Sequence, residues 1–492
     1  MGCSLPLLDR LLMIWRLSML EYTFYDNEAT GLSKRHDQVT QFGGVTCDES
    51  FRVKDSISQF VRLLPYVVPH PTALAVTRKT AADLCDPTLT SDYVSARSVS
   101  RFLTPERGVR RVFVTFNGIK YDDELLRTML YRNLQNPYFN SGKDAIKIDL
   151  LSVVRLVVAA EPEALVVPRD EEGRISLRLE NICPANGIML EAHDAYHDSV
   201  ATMRLFRLVQ EKAPWAIELA LECGSARRVE EMLYSSIQTG DPLFSFTSFG
   251  KADFAPLAIM ASHGKKFLGV DLRADAYPED GGKIAELLYK PGTPFQVVTS
   301  NKFPLLLTAA RMRTLQGLEL PESLCERANE INNKTAFRAA CKDAVSRNTL
   351  EKVNDAASEE LIYDGFFDGE EKRRMADFNG TSNWAERAKI AFVDRRLRDF
   401  SARIILDAVA NGEAALPPEV IRSLAIDCSE ALCRPFGPVG SRHMTIARCI
   451  EEGADEAWVD WARGRYGDHP VFEAAPRVMQ AAPGAGQMSF GF

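Results

Sequence analysis

The sequence predicts an α/β domain followed by a β-rich region and then a helical one. Three observations carry this. Short β-branched and aromatic runs alternate with helically spaced apolar residues over positions 21–210. Strand-like runs dominate 211–350, and apolar residues at helical spacing dominate 351–472.

Taken in order, Glu21–Tyr25 reads as a short strand ending in Asp26-Asn27-Glu28, and Gln41–Cys47 as a second. Arg111–Phe116 (RVFVTF) has the composition of a buried strand. Helical spacing follows at Tyr121–Leu134, Asp149–Ala160 and Leu179–Gly187. Ala195–Gln210 is a longer helix whose apolar stripe is Val200, Met203, Leu205, Phe206 and Leu208. In the middle region Phe244–Ala261, Lys266–Leu272, Phe295–Val298 and Leu305–Leu307 read as strands, the last two flanking Asn301-Lys302-Phe303-Pro304. Leu315–Ala340 turns helical, and Ile390–Ala410 is the clearest helix of the C-terminal region. Residues 473–492, rich in Ala, Pro and Gly, read as a flexible tail. Residues 1–20 read as an extension. Asp9, Arg10 and Arg16 interrupt their apolar run, and no basic leader or small-residue cleavage site accompanies it. Met19 is an alternative start, and Pro6 argues against acylation of Gly2.

Composition narrows the function. With 46% apolar and 26% charged residues among 492, the chain is neither disordered nor fibrous. Its net charge of −8 excludes a globally basic DNA-coating protein but leaves room for a local basic groove. Ten cysteines lack any CxxC pair, so a zinc site is not expected; reduced, buried thiols in a cytoplasmic protein are. No apolar run is long enough to span a membrane.

The sharpest chemical signal is acidic. Asp26 and Glu28, at i and i+2 of a strand, leave the same face. Asp122 opens a helix after Asn117-Gly118-Ile119-Lys120-Tyr121, and His193 and Asp198 form a His-x4-Asp spacing that opens another. Each piece alone is ordinary, since an aspartate at a helix start is usually a cap. Together they suit two magnesium ions, with manganese as a substitute, because hard cations take carboxylate oxygens and keep waters for a substrate phosphate. Two such ions can stabilise the attacking and leaving oxygens of a phosphodiester. A histidine can take the proton of the attacking water near neutral pH. Without cations the four carboxylates would repel and raise each other's pKa.

The order Asp-x-Glu, Asn-x3-Tyr-Asp, His-x4-Asp resembles the DEDD exonuclease superfamily in its histidine-containing (DEDDh) branch. The blocks Phe24–Gly31, Asn117–Arg132, Asn136-Pro137-Tyr138, Arg178–Asn181 and Ala192–Thr202 extend the likeness. Phe254–Ala258, Val270–Leu272 and Asn301–Pro304 resemble the SH3-like middle domain of some bacterial members; Leu361–Phe367 and Phe392–Arg396 resemble their helical C-terminal domain.

The resemblance implies a ribonuclease H-like exonuclease domain at 21–210, an SH3-like domain at 211–350 and a helical domain at 351–472. It implies 3′→5′ hydrolysis of single-stranded DNA to nucleoside 5′-monophosphates, serving repair or recombination. Asp26, Glu28, Asp122 and Asp198 would be the metal ligands and His193 the general base. Asn27 stands where an aromatic is usual; pointing away from the metals, it should matter little.

For the strand itself, Lys302, Arg395 and Arg396 are the candidate phosphate contacts, the last two within a stretch (371–403) of nine basic and five acidic residues. Phe366, Phe367 and Phe392 read as core rather than as base-stacking platforms. Single-strand DNA-binding protein is the implied partner, although Glu161 stands where a basic residue for its acidic tail is expected. Gln487–Phe492 (QMSFGF) resembles peptides that dock on sliding clamps. A DEDDh exonuclease acting on RNA or in proofreading, and an inactive DNA-binding adaptor, are the competing readings. The length of chain beyond residue 210 argues against the first, and the five filled positions against the second.

Overall fold

The structure is a computed structural model that describes residues 20–142, 145–169, 171–190, 194–247, 253–316, 322–347 and 356–467. Two five-stranded sheets organise it. The first contains β1 (Leu20–Ala29), β2 (Val39–Asp48), β3 (Val53–Phe60), β4 (Arg110–Thr115) and β5 (Ala145–Asp149) in the order β3-β2-β1-β4-β5. The hairpin strands β1–β3 run antiparallel, and β1, β4 and β5 run parallel.

Strand β1 is longer than its apolar run suggests. Its pairing with β4 stops at Phe24, but its pairing with β2 continues, setting Asp26 opposite Gly43 and Glu28 opposite Gln41. The two acids therefore project past the end of the parallel pair, on rigid backbone. Strands β3 and β5 escape the sequence pattern. The first is an exposed edge strand, VKDSISQF, with too few apolar residues to stand out. The second is five residues, the middle three buried, running straight into a helix.

Helices cover both faces of this sheet. They are α1 (Asp92–Leu103), α2 (Asp122–Arg132), α3 (Leu150–Ala160), α4 (Leu179–Ala185) and α5 (Ala195–Lys212), within a residue or two of the expected spans where these were read. Tyr25, Phe42 and Phe113 face α1 and α2, packing on Phe102, Leu125, Leu126 and Met129. Tyr22, Phe24 and Val114 face α3 and α5, packing on Val153, Leu205 and Phe206. Helices α6 (Pro214–Gly224) and α7 (Ala226–Thr239) then lead to the second sheet.

That sheet is antiparallel throughout, in the order β10-β6-β7-β8-β9. The run read as one strand over Phe244–Ala261 is a hairpin of β6 (Leu243–Thr247) and β7 (Asp253–His263), with Leu243 opposite Leu257. Strands β8 (Lys266–Asp271), β9 (Phe295–Thr299) and β10 (Leu306–Thr308) follow. One buried apolar cluster runs from Phe24 through Ile217 and Val229 to Leu257 and Leu306, so the two sheets share a core.

The C-terminal helices fold back on the first domain. Leu397, Phe400 and Ile404 of the helix Arg395–Ala410 pack with Tyr93 and Tyr131. Ile446, Trp458 and Val459 pack with Leu63, Val67 and Leu74. The Trp458 indole donates to the Pro69 carbonyl at 3.1 Å and the Tyr466 hydroxyl to that of Val67 at 3.0 Å. The helix expected over Ile390–Ala410 starts at Arg395, because Asp394 caps it by accepting from the Arg396 amide. Among the described residues nine cysteines are free thiols, six of them buried. Among the described residues no helix is long and apolar enough to cross a membrane.

Among the described glycines of the first domain, Gly43 has the tightest surroundings. A Cβ there would lie 2.0 Å from the Ala195 carbonyl carbon and 2.1 Å from the Tyr196 nitrogen. Gly43→Ala is therefore expected to destabilise the protein by about 3 kcal/mol or more, as overpacking against backbone does. Gly369→Ala, which meets nothing within 4 Å, serves as the control. Urea unfolding of the two variants checks this: the Gly43→Ala midpoint drops and the Gly369→Ala midpoint stays.

Candidate metal centre

Three carboxylates meet at the end of β1. One oxygen from each of Asp26, Glu28 and Asp198 lies within 4.8 Å of the others, and all three residues are half-buried. Strand alternation explains Asp26 and Glu28. Asp198 arrives through the crossing at Gly43, which lets the first turn of α5 lie directly on β2. Asp194 caps that helix, accepting from the Tyr196 and His197 amides, each at 3.1 Å. Gln41, opposite Glu28, donates to Asp194 at 2.9 Å and so ties the helix start to the strand. Tyr196 and His197 lie on the helix beside the cap, His197 being 45% exposed in its side chain.

Asp122 completes the acidic group. Asn117, in the left-handed region at φ 64°, turns the chain after β4, and its amide donates to Asp149 at 2.8 Å. Asp149 in turn caps α3. Gly118 sits where a Cβ would lie 2.6 Å from the Asp122 carboxylate. The neighbouring Asp123 points elsewhere: it is buried, accepting from the Tyr25 hydroxyl at 2.5 Å and from Asn140 at 2.7 Å. Asp123 thus points away from the acidic group, whereas the Asp122 charge acts on Asp26 and Glu28.

The electrostatics are those of a cation site. Burial, followed by the charges of Asp122, Asp198 and Glu28, pushes the Asp26 carboxyl well above the usual carboxylate range. Burial and then Asp198 and Asp122 push Glu28 up to about 8. Burial and the Asp123 charge push Asp122 up to about 7, against a hydrogen bond from Asn27. Such a set is costly to ionise alone and is relieved by divalent charge, so the residues fit a divalent metal.

Other predicted residues fall differently. His193 lies outside the described residues, as do residues 1–19 and the peptide 487–492. Lys302 is 47% exposed in its side chain and pairs with Glu124 at 3.0 Å. Arg395 is exposed, with one hydrogen bond to the Ala356 carbonyl at 3.0 Å.

Arg396 is a correction. It is 8% exposed, grips Asp394 at 2.7 Å, donates to the carbonyls of Leu361 and Gly365, and lies 4.5 Å over the Phe367 ring. It braces the fold and has little surface left for a phosphate. Much of the surrounding basic stretch is likewise committed: Arg387 and Arg403 are buried, and Arg374 and Lys389 are ion-paired.

Phe392 is core as expected and Phe367 half-buried, but Phe366 is 79% exposed and touches Tyr138 edge-on at 5.4 Å. Asn27 faces away from Asp26 and Glu28 as alternation requires, yet it is not idle. It is buried, and its amide reaches the Asp122 carbonyl at 3.4 Å. Glu161 accepts from the Trp215 indole at 2.8 Å.

The residues that sequence reasoning missed are the positioning ones: Gly43, Gln41, Asp194 and Asn27. Only Gly43 carried a visible signal, as half of a Gly-Gly pair inside a strand.

A family model described as Exonuclease matches residues 23–206. Exodeoxyribonuclease I of Haemophilus influenzae is 27% identical over 404 residues, covering 76% of this chain and 84% of its own. The crystal structure of Escherichia coli Exonuclease I in complex with a dA16 oligonucleotide superposes with a TM-score of 0.73 at 21% identity, covering 94% of this chain and 98% of the other. A solved ExoI/SSB-Ct complex gives 0.70 at 22%, with the same coverage. At these identities the two structures establish a shared fold.

The raised carboxyls make stability depend on pH and metal. A carboxyl whose pKa is higher folded than unfolded holds its proton more tightly in the folded state, so stability falls as pH rises between the two values. The chelated protein should therefore lose melting temperature from about pH 4, the ordinary carboxylate value, to about pH 8, where Glu28 titrates in the fold. Added divalent cation should restore it at pH 8 and do little at pH 5. Thermal melts of wild type and Glu28→Gln check this, the variant showing a shallower slope and a smaller metal response.

Proposed function

We propose that the chain is a member of the bacterial exodeoxyribonuclease I family and that it degrades single-stranded DNA from the 3′ end, releasing nucleoside 5′-monophosphates, on its likeness to the exodeoxyribonuclease I relatives. The observation that carries the reading is the meeting of Asp26, Glu28 and Asp198 within 4.8 Å inside an exonuclease fold, with Asp122 raising the pKa of the first two.

In this reading Asp26, Glu28, Asp122 and Asp198 hold two magnesium ions. When bound, the ions supply charge stabilisation for the attacking and leaving oxygens of the phosphodiester. The chain's own residues do the rest. His193 takes the proton of the attacking water, a role suited to imidazole, whose unperturbed pKa is about 6.5. Gln41 and Asp194 keep the start of α5, and with it Asp198, against β2. Asn27 and Tyr25, on the opposite face of β1, hold the first residues of α2 and so orient Asp122. Lys302 and Arg395 are the phosphate contacts we retain for the strand. The compartment this chemistry requires is the cytoplasm, where chromosomal DNA lies.

Two protein partners belong to the same reading. The ExoI/SSB-Ct complex supports single-strand DNA-binding protein as the first. A sliding clamp is the second, through Gln487–Phe492 at the end of a tail rich in Ala, Pro and Gly. Truncation before Gln487 should abolish clamp binding in a pull-down and leave exonuclease activity intact; equal binding by both forms removes the clamp from the reading.

The central test is digestion of 3′-labelled single-stranded DNA, double-stranded DNA and RNA with magnesium. Single-stranded DNA alone should yield mononucleotides, and Asp26→Ala should reduce the rate by about a thousandfold or more, the scale on which losing an electrostatic stabiliser acts. Equal cleavage of RNA would move the protein to the ribonuclease members of the branch. Binding without cleavage would make it an adaptor.

A further inference from the structure

Glu124 lies two residues after Asp122 on α2, about 200° around the helix, so its side chain leaves the side away from the acidic group. Its carboxylate gathers donors from three distant parts of the chain. Arg35, in the loop after β1, donates at 2.6 Å. The Tyr363 hydroxyl, in the C-terminal region, donates at 2.7 Å. Lys302, in the loop between β9 and β10, donates at 3.0 Å. The Glu124 side chain is 8% exposed.

Further contacts tighten the knot. Arg35 lies 5.2 Å over the Tyr363 ring and also donates to Thr128 at 2.9 Å. Arg127 donates to the Tyr363 hydroxyl at 3.2 Å, and Lys147 to the Asn301 carbonyl at 2.9 Å. Two of the three ties come from the cationic donors Lys302 and Arg35 and are charge-assisted.

We propose that Glu124 is a positioning residue for strand retention: it latches the Lys302 loop and the Tyr363 segment onto the helix that carries Asp122, and so keeps the second sheet and the C-terminal helices in place beside the metal centre while successive nucleotides are removed. It touches no reacting atom. Its loss should loosen the grip on a long strand and leave bond cleavage itself intact. The inference rests on the exonuclease reading above.

The test compares wild type, Glu124→Gln and Tyr363→Phe on a long single-stranded DNA and on a trinucleotide. For Glu124→Gln, KM on the long strand should rise and the number of nucleotides released per binding event should fall, each by about tenfold, as loss of a charged hydrogen-bonded tie allows. kcat on the trinucleotide should stay within about twofold, since no group in the chemical step is removed. Tyr363→Phe should show a smaller change of the same kind, and the double variant should be less than additive because both ties end on one carboxylate.

If Glu124→Gln fails to fold, Tyr363→Phe alone carries the test. Unchanged retention in a folded variant overturns the proposal. So does an equal loss of kcat on both substrates, which would mean action through Asp122. Tighter binding by Glu124→Gln also overturns it, since Glu124 would then merely have been masking Lys302 from phosphate. A wild type without exonuclease activity would instead defeat the functional reading itself.

Discussion

The absence of a side chain at one strand position sets the geometry of the centre. Because Gly43 presents only hydrogen, the first turn of α5 rests on β2 backbone to backbone. That contact brings Asp198 from a helix nearly two hundred residues along the chain to the two acids of β1. Any larger residue would push the helix start, and Asp198 with it, away from β2, since a Cβ there would lie 2.0 Å from the Ala195 carbonyl carbon. The capping of α5 by Asp194, and the grip of Gln41 on that cap, are the polar counterpart of the same steric fit.

The acidic group is held against its own repulsion. The Asp26, Glu28 and Asp122 carboxyls are pushed upward by burial and then by their neighbours, so assembling them costs stability. The compensation lies in the apolar packing on both faces of the first sheet and in the division of labour along β1. Tyr25 and Asn27 anchor α2 on one face while Asp26 and Glu28 face the metal site on the other. A four-residue stretch thus carries two carboxylates of the acidic group and two positioning groups, and strand alternation alone sorts them.

The three regions of the chain do not behave as separate bodies. The second sheet shares a core with the first, and the C-terminal helices bury Trp458 and Phe400 against segments of the first domain. Polar ties run the same way, with Glu124 at a point where all three meet. Several basic residues of the C-terminal region are committed in the same way. Arg387, Arg396 and Arg403 are spent on holding helices and carbonyls inside the fold. Phe366 misleads in the opposite sense: its apolar character suggests core, yet it lies on the surface beside Tyr138.

The sequence by itself determined the order of most elements. Strand alternation fixes the shared face of Asp26 and Glu28, because this depends on a local period that neighbours cannot change. It could not reveal β3, whose exposed edge lacks an apolar pattern, nor the break within Phe244–Ala261. Tertiary structure alone decided which charges face solvent and which are consumed internally, since a guanidinium reads the same in sequence whether it meets a phosphate or a buried carbonyl. It also decided that Asn27 reaches the Asp122 carbonyl, and that a single carboxylate, Glu124, ties three regions together. Contacts between residues hundreds of positions apart leave no local period to read.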